Sequence, residues 1–250
     1  MIKPIALLIV IIALFFLSNL NLAQEDRIKI TKDVELVKIS ATTFNHISYH
    51  DLPNFQHVPA NGLIYIDQGK AFIIDTPWTD EETATLLNWL KDSLNVTVAG
   101  AIVTHWHIDC MGGLREIQKA GINSYASNLT REIARSKNLP VPDVGFQDSL
   151  KLYLNDKEIV CRYLGAGHTI DNIVVWLPAE KTLFGGCMVK TLGANSLGNT
   201  EDADLSEWPK TLKQVLAEFS NSEIVIPGHG NFGNLDLIHH TIKLCEDGKY

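Results

Sequence analysis

The chain has 250 residues, 46% of them hydrophobic and 20% charged. That is enough apolar side chain to bury a sizeable core as one domain, although length alone would also allow two. A formal net charge of −8, with no cluster of lysine and arginine, argues against nucleic-acid binding.

The first 23 residues read as an export signal. Lys3 supplies a short positive region, Ile5 to Leu17 an apolar core of 13 residues, and Ala23 a small residue before a cut at Gln24. An uncleaved anchor would want about 20 apolar residues. No cysteine follows the cut, so lipid attachment is not indicated, and losing Lys3 takes the formal charge from −8 to −9. The expected destination is the periplasm, with no stable membrane anchor after cleavage and residues 24–250 forming a single domain.

Val34 to Ile39, Asn45 to Tyr49, Gly62 to Ile66 and Ala71 to Ile74 read as successive strands, with Asp67 to Lys70 as a hairpin turn. Asp80 to Leu94 reads as a helix, because Leu86, Leu87, Leu90 and Leu94 form an apolar stripe and acidic residues fill the first turn. Val96 to Val103 is a strand. Helices follow at Leu114 to Ala120, closed by Gly121, and at Leu129 to Asn138, stopped by Pro140. Strands resume at Lys151 to Leu154, Ile159 to Leu164, Asn172 to Leu177 and Thr182 to Phe184. A helix from Leu205 to Phe219, a strand from Glu223 to Ile226 and a helix from Leu235 to Cys245 complete the chain. Strand runs followed by alternating strands and helices point to mixed sheets covered by helices.

Thr104 to Gly113, THWHIDCMGG, is the segment richest in chemistry. Residues at i, i+2 and i+4 of a strand share a face, and a loop leaving the strand can swing the third inward, so His105, His107 and Asp109 can converge. Neutral imidazoles suit zinc, and an acidic oxygen suits a second cation nearby. His168 in GAGHTIDN, Cys187 in FGGCMVK and His229 in IPGHG each sit where a strand-like run gives way to a turn, the position from which loops project side chains into a shared cleft. Six such residues make two sites plausible: His105, His107 and His168 for one zinc, and Asp109, Cys187 and His229 for the other.

These motifs resemble the class B metallo-β-lactamases, and within them the first subclass. The resemblance runs from about Ile30 to about Tyr250. Most of the wider superfamily carries a histidine directly after the motif aspartate and a bridging aspartate where Cys187 falls; this chain has Cys110 and Cys187 instead. The second subclass has asparagine at the first motif position, which His105 excludes. Within the first subclass, THWHIDCMGGL, LGAGHTIDNIVVWLP and LFGGCMVK look most like the Bacteroides-type enzymes.

The resemblance implies an α/β protein, an αββα sandwich with metals at one edge, and a hydrolase of cyclic amides. It further implies two Zn2+ per chain, with hydroxide between them attacking the lactam carbonyl of a small-molecule β-lactam, carbapenems included, and no covalent acyl-enzyme. Asp109 would orient the hydroxide and bind metal, and Asn199 would polarise the carbonyl. Lys190 would bind the substrate carboxylate. Asp51 to Asn61 resembles a flap closing over substrate, with Phe55 at its apolar tip. Each has a plainer reading: a solvated lysine, a loop asparagine before a turn, and a hairpin connection. A monomer is expected.

Asp75, ending the run FIIDTPW, either orients a ligand histidine or caps the following helix. Asp171 invites the same two readings, with a turn or support role preferred. His46, His50, His57, His239 and His240 fit no ligand set. Four cysteines in an exported chain raise the question of disulfides, but Cys187 belongs to the metal set, Cys110 adjoins it, and Cys161 and Cys245 fall in a strand and the last helix.

Overall fold

The computed structural model describes residues 27–250; the expected signal segment lies outside them. Arg27–Lys29 (β1), Val34–Lys38 (β2), Thr43–Leu52 (β3), Phe55–Asp67 (β4) and Lys70–Ile74 (β5) form an antiparallel run. Thr97–Ile102 (β6), Ser124–Ser127 (β7) and Val144–Phe146 (β8) then add in parallel, giving an eight-stranded sheet in chain order. A second sheet, ordered β13-β12-β11-β10-β9, comprises Ser149–Leu154 (β9), Lys157–Arg162 (β10), Val174–Leu177 (β11), Thr182–Gly186 (β12) and Ile224–Pro227 (β13).

Alternation of side chains along the strands builds the layers. Leu63, Tyr65, Phe72 and Ile74 of the first sheet meet Ile159, Val175, Phe184 and Ile226 of the second in one buried cluster. The intervening residues Ile64 and Ile73 point outward, onto Leu86 and Leu90 of the helix Asp80–Leu94 (α1). Ile108–Met111 (α2), Leu114–Lys119 (α3) and Asn128–Ser136 (α4) cover the same side. On the far side Trp208–Glu218 (α5) and Asp236–Glu246 (α6) bury Trp208, Leu212, Val215 and Ile238 against Val174, Leu183 and Val225. This is the expected αββα sandwich.

α1 has the bounds its stripe requires. Thr79 accepts the Glu82 amide at its start, and Asn95, with φ 54°, closes it in the left-handed region. Thr79, not Asp75, is therefore the cap. The segment Asp51 to Asn61 is no loop: β3 and β4 pair almost to its tip, Leu52 opposite Phe55, as a two-stranded ribbon beyond the sheet edge. α5 begins at Trp208 rather than Leu205, because Asp204 Oδ1 accepts the amides of Ser206 and Glu207 and holds them in a turn. All four cysteines are free and buried. Among the described residues no helix is long and apolar enough to cross a membrane.

Candidate metal centre

The six sequence-marked residues leave the ends of four strands. His105, His107 and Asp109 follow β6 of the first sheet, while His168, Cys187 and His229 follow β10, β12 and β13 of the second. β10 and β12 each run antiparallel to β11, and β13 runs parallel to β12, so these three strands end on the same edge. His107 is still extended (φ −69°, ψ 156°) and α2 begins at the next residue. The chain thus turns from strand-like to helical between the paired histidines and Asp109, which joins a different group.

In the first group His107 Nδ1 lies 3.1 Å from His105 Nε2 and 3.1 Å from His168 Nε2. A neutral imidazole has one N–H, so three converging ring nitrogens cannot satisfy one another by hydrogen bonding alone. A tetrahedral zinc with bonds of about 2.0–2.1 Å would set its nitrogens about 3.3–3.4 Å apart, close to this spacing. The donor set fits zinc. Burial lowers the pKa of His168 well below its ordinary value, leaving it the neutral base a metal requires.

The far nitrogens fix two of the rings. His105 Nδ1 lies 3.2 Å from Thr104 Oγ1, which donates to Asp75 Oδ2 at 2.7 Å, while Asp75 Oδ1 takes the Thr104 amide at 2.7 Å. Asp75 thus acts on a ligand histidine through Thr104; its burial pushes its carboxyl up to about 7 against the opposing effects of His105 and those hydrogen bonds. His107 Nε2 donates to Asp202 Oδ2 at 2.9 Å. Asp171 supports the loop, its Oδ2 accepting the Trp106 amide at 3.0 Å between the paired histidines.

The second group is acidic and soft. Cys187 Sγ lies 3.2 Å from Asp109 Oδ2 and 3.5 Å from His229 Nε2, which is itself 3.1 Å from Asp109 Oδ2. His229 Nδ1 donates to the Pro59 carbonyl at 2.5 Å, so Nε2 faces the group. A hydrogen bond from Cys110, and then the charge of His229, hold the Cys187 thiol well below its usual range despite burial. Burial drives Cys110 the opposite way, well above. Cys110 Sγ falls within 4.8 Å of donor atoms of His105, Asp109 and Cys187, but with its thiol pushed up and that of Cys187 held down, Cys187 is the better metal donor. Gly228 permits the approach: a Cβ there would lie 2.3 Å from Cys187 Sγ.

Both groups open on a cleft of about 770 Å3, within the range of small-molecule sites. Lys190, Asn199, Trp78, Trp106, Arg115 and Asp202 are among its walls. Lys190 is partly buried, which lowers its pKa, and its Nζ lies 5.4 Å over the Trp208 ring. It forms no ion pair among the described residues. Asn199 Oδ1 accepts the Glu201 amide at 3.1 Å, so the asparagine makes the turn of its plainer reading and keeps its NH2 free for the cleft. Phe55 stands 67% exposed beside the ribbon tip.

Sequence reasoning did not mark Thr104, Asp202 or Asn61. Asn61 ties β4 to the His229 loop: its Nδ2 donates to the carbonyls of Pro227 (2.9 Å) and Gly230 (2.7 Å), and its amide donates to Gly228 (2.8 Å). The five other histidines stay outside both groups; His46, for example, binds the Asp75 carbonyl at 2.9 Å.

Two sheets packed face to face between helices, with metal-donor groups at one sandwich edge, define the architecture of a metal-dependent hydrolase class. The family model described as "Metallo-beta-lactamase superfamily" matches residues 58–229, a span holding all six donors, and the chain belongs to that family. It is 44% identical over 235 residues to a metallo-beta-lactamase type 2 of Bacteroides fragilis, covering 94% of each chain. A Bacillus cereus protein of the same name is 33% identical over 92% of this chain and 93% of its own. Among solved structures, a metallo-beta-lactamase from Pontibacter korlensis superposes with a TM-score of 0.82 at 38% identity, over 86% of this chain and 99% of that one. The mono-zinc form of the metallo-beta-lactamase FIM-1 from Pseudomonas aeruginosa superposes with a TM-score of 0.81 at 34% identity, over 88% and 99%.

Proposed function

We propose that this protein is a zinc-dependent β-lactamase that opens the lactam amide bond of penicillins, cephalosporins and carbapenems and so confers resistance to them. The observation that carries it is the pair of abutting donor groups, one of three imidazoles and one of carboxylate, thiol and imidazole, beneath a cleft whose Lys190 ammonium forms no ion pair among the described residues. The six donors would hold two zinc ions, His105, His107 and His168 one, and Asp109, Cys187 and His229 the other.

Zinc bound there supplies Lewis acidity and lowers the pKa of water to about 7, so that hydroxide is available at neutral pH. Lys190 takes the carboxylate that β-lactams carry beside the ring nitrogen and sets the amide over the metals. The free NH2 of Asn199 donates to the lactam carbonyl and stabilises negative charge developing on its oxygen. Asp109, a ligand whose second oxygen can accept from water, orients the attacking oxygen. Phe55 on the ribbon covers the apolar part of the substrate. No residue need become acylated, so no nucleophilic serine is required.

Hydrolysis of the chromogenic cephalosporin nitrocefin tests this activity. Purified protein should open the ring, lose the activity to a chelator and regain it with added zinc. Undiminished turnover after chelation, or a folded zinc-loaded protein that ignores nitrocefin yet cleaves a thioester or a lactone, would overturn it. Residues 1–23 are proposed as a cleaved signal delivering a monomer to the periplasm, supported by the Lys3, Ile5 to Leu17 and Ala23 pattern. N-terminal sequencing of the periplasmic protein should begin near Gln24, and a chain retaining Lys3 would contradict it.

A further inference from the structure

The cleft carries a second cation that the proposed reaction does not use. Arg115 lies in the first turn of α3, is exposed, and lines the same cleft as Lys190. Its guanidinium makes no ion pair and no side-chain hydrogen bond among the described residues. Asp80, which lines the same cleft, accepts the Glu116 amide through Oδ1 at 3.1 Å. Trp78 abuts this corner, since a Cβ on Gly112 would lie 1.9 Å from the Trp78 carbonyl oxygen.

The two cations reach the cleft from opposite halves of the sandwich. Lys190 lies three residues after Cys187, past the end of β12, on the five-stranded half. Arg115 follows Asp109 through α2 on the eight-stranded half. The donor groups contributed by the two halves meet between them. With the ring carboxylate on Lys190 and the amide over the metals, the acyl side chain would lie on the side of the cleft lined by Trp78, Ile108, Met111 and Arg115.

We infer that Arg115 forms a second anion subsite, which selects β-lactams whose acyl side chain carries its own carboxylate. The inference rests on the β-lactamase activity proposed above. A guanidinium presents a planar fork of N–H donors matched to a carboxylate, and the apolar neighbours Trp78 and Ile108 suit the hydrocarbon that bears it.

Carbenicillin differs from benzylpenicillin by one carboxylate on the acyl side chain, so the two penicillins isolate the effect. With zinc-loaded enzyme, the quantity to measure is the ratio of kcat/KM for carbenicillin to that for benzylpenicillin. Arg115→Gln should lower this ratio by about fivefold, the size of a partly solvated charge-assisted contact, with the change residing in KM. Arg115→Lys should restore part of it, and added salt should lower the wild-type ratio while barely moving that of Arg115→Gln. A ratio unchanged by Arg115→Gln, with benzylpenicillin still hydrolysed, would overturn the subsite alone. Wild-type protein that hydrolyses neither penicillin would overturn the activity and the subsite together.

Discussion

The two donor groups touch, yet they are built on different principles. The imidazole group offers three ring nitrogens, two of them from residues two apart in HWH, and two of its rings are aimed by carboxylates, Asp75 through Thr104 and Asp202 directly. The mixed group collects Asp109, Cys187 and His229 from three separate segments, and is braced by the Pro59 carbonyl, the Cys110 thiol and the Asn61 clamp. A dication held by three imidazoles would keep its whole charge. Held by a carboxylate and a thiolate, it would have that charge largely offset, making it the weaker Lewis acid. The proposed function would thus place an electron-poor and an electron-rich metal site side by side in one cleft.

The largest effects should come from breaking either group at a donor. His105→Ala and Cys187→Ala should each lower nitrocefin turnover at least about a hundredfold while the protein remains folded. Zinc content, measured by mass spectrometry, should fall from two per chain toward one. Near-normal hydrolysis by either folded variant at wild-type zinc content would rule out the assigned donors.

Lys190→Ala comes next. Losing a charge-assisted contact to the substrate carboxylate should raise KM roughly tenfold or more across carboxylate-bearing lactams, with zinc content unchanged. Steady-state kinetics on several such lactams check this, and an unchanged KM would remove Lys190 from substrate binding.

Asp202→Asn sharpens the contrast between the groups. The His107 ring would lose its anionic acceptor, so zinc affinity at the imidazole group should fall roughly tenfold, while the mixed group keeps its metal. Competition with a chromogenic chelator separates the two affinities. Equal weakening at both would mean that Asp202 supports the cleft generally rather than the His107 ring.

Cys110→Ser should have the smallest effect. With its thiol pushed up by burial beside Cys187, Cys110 is proposed as a neighbour of the metal rather than a donor to it. The variant should keep two zincs and most of its turnover, and its metal-depleted form should resist oxidative inactivation better than the wild type. Loss of a whole zinc equivalent after dialysis against metal-free buffer would show that the sulfur coordinates metal.

What was legible in the sequence follows the range of the interactions. α1 could be bounded to the residue because its apolar stripe and acidic first turn are local, although its Thr79 cap and Asn95 closure were not marked. The six donors stood out because each follows a strand-like run or lies within one short motif. β7 and β8 were missed: SYAS and VGF are too short to show a period, and they exist because β6 offers β7 a parallel edge and β7 offers one to β8. The ribbon at Asp51 to Asn61 has no apolar alternation near its tip, where Phe55, Gln56 and His57 are all exposed. Asp202 and Asn61 were illegible for a further reason. Their partners lie 95 and 166 residues away, and nothing local marks an aspartate in an acidic loop or an asparagine in a strand as the support of a distant histidine.

The most direct test of two unlike metal groups serving one β-lactamase cleft is a zinc titration of metal-free protein, read at each step for bound zinc and for nitrocefin hydrolysis. Binding should saturate at two zinc ions per wild-type chain and near one in Cys187→Ala, with wild-type turnover rising as zinc binds. Saturation of the wild type at a single zinc, or full turnover before any zinc is bound, would contradict it.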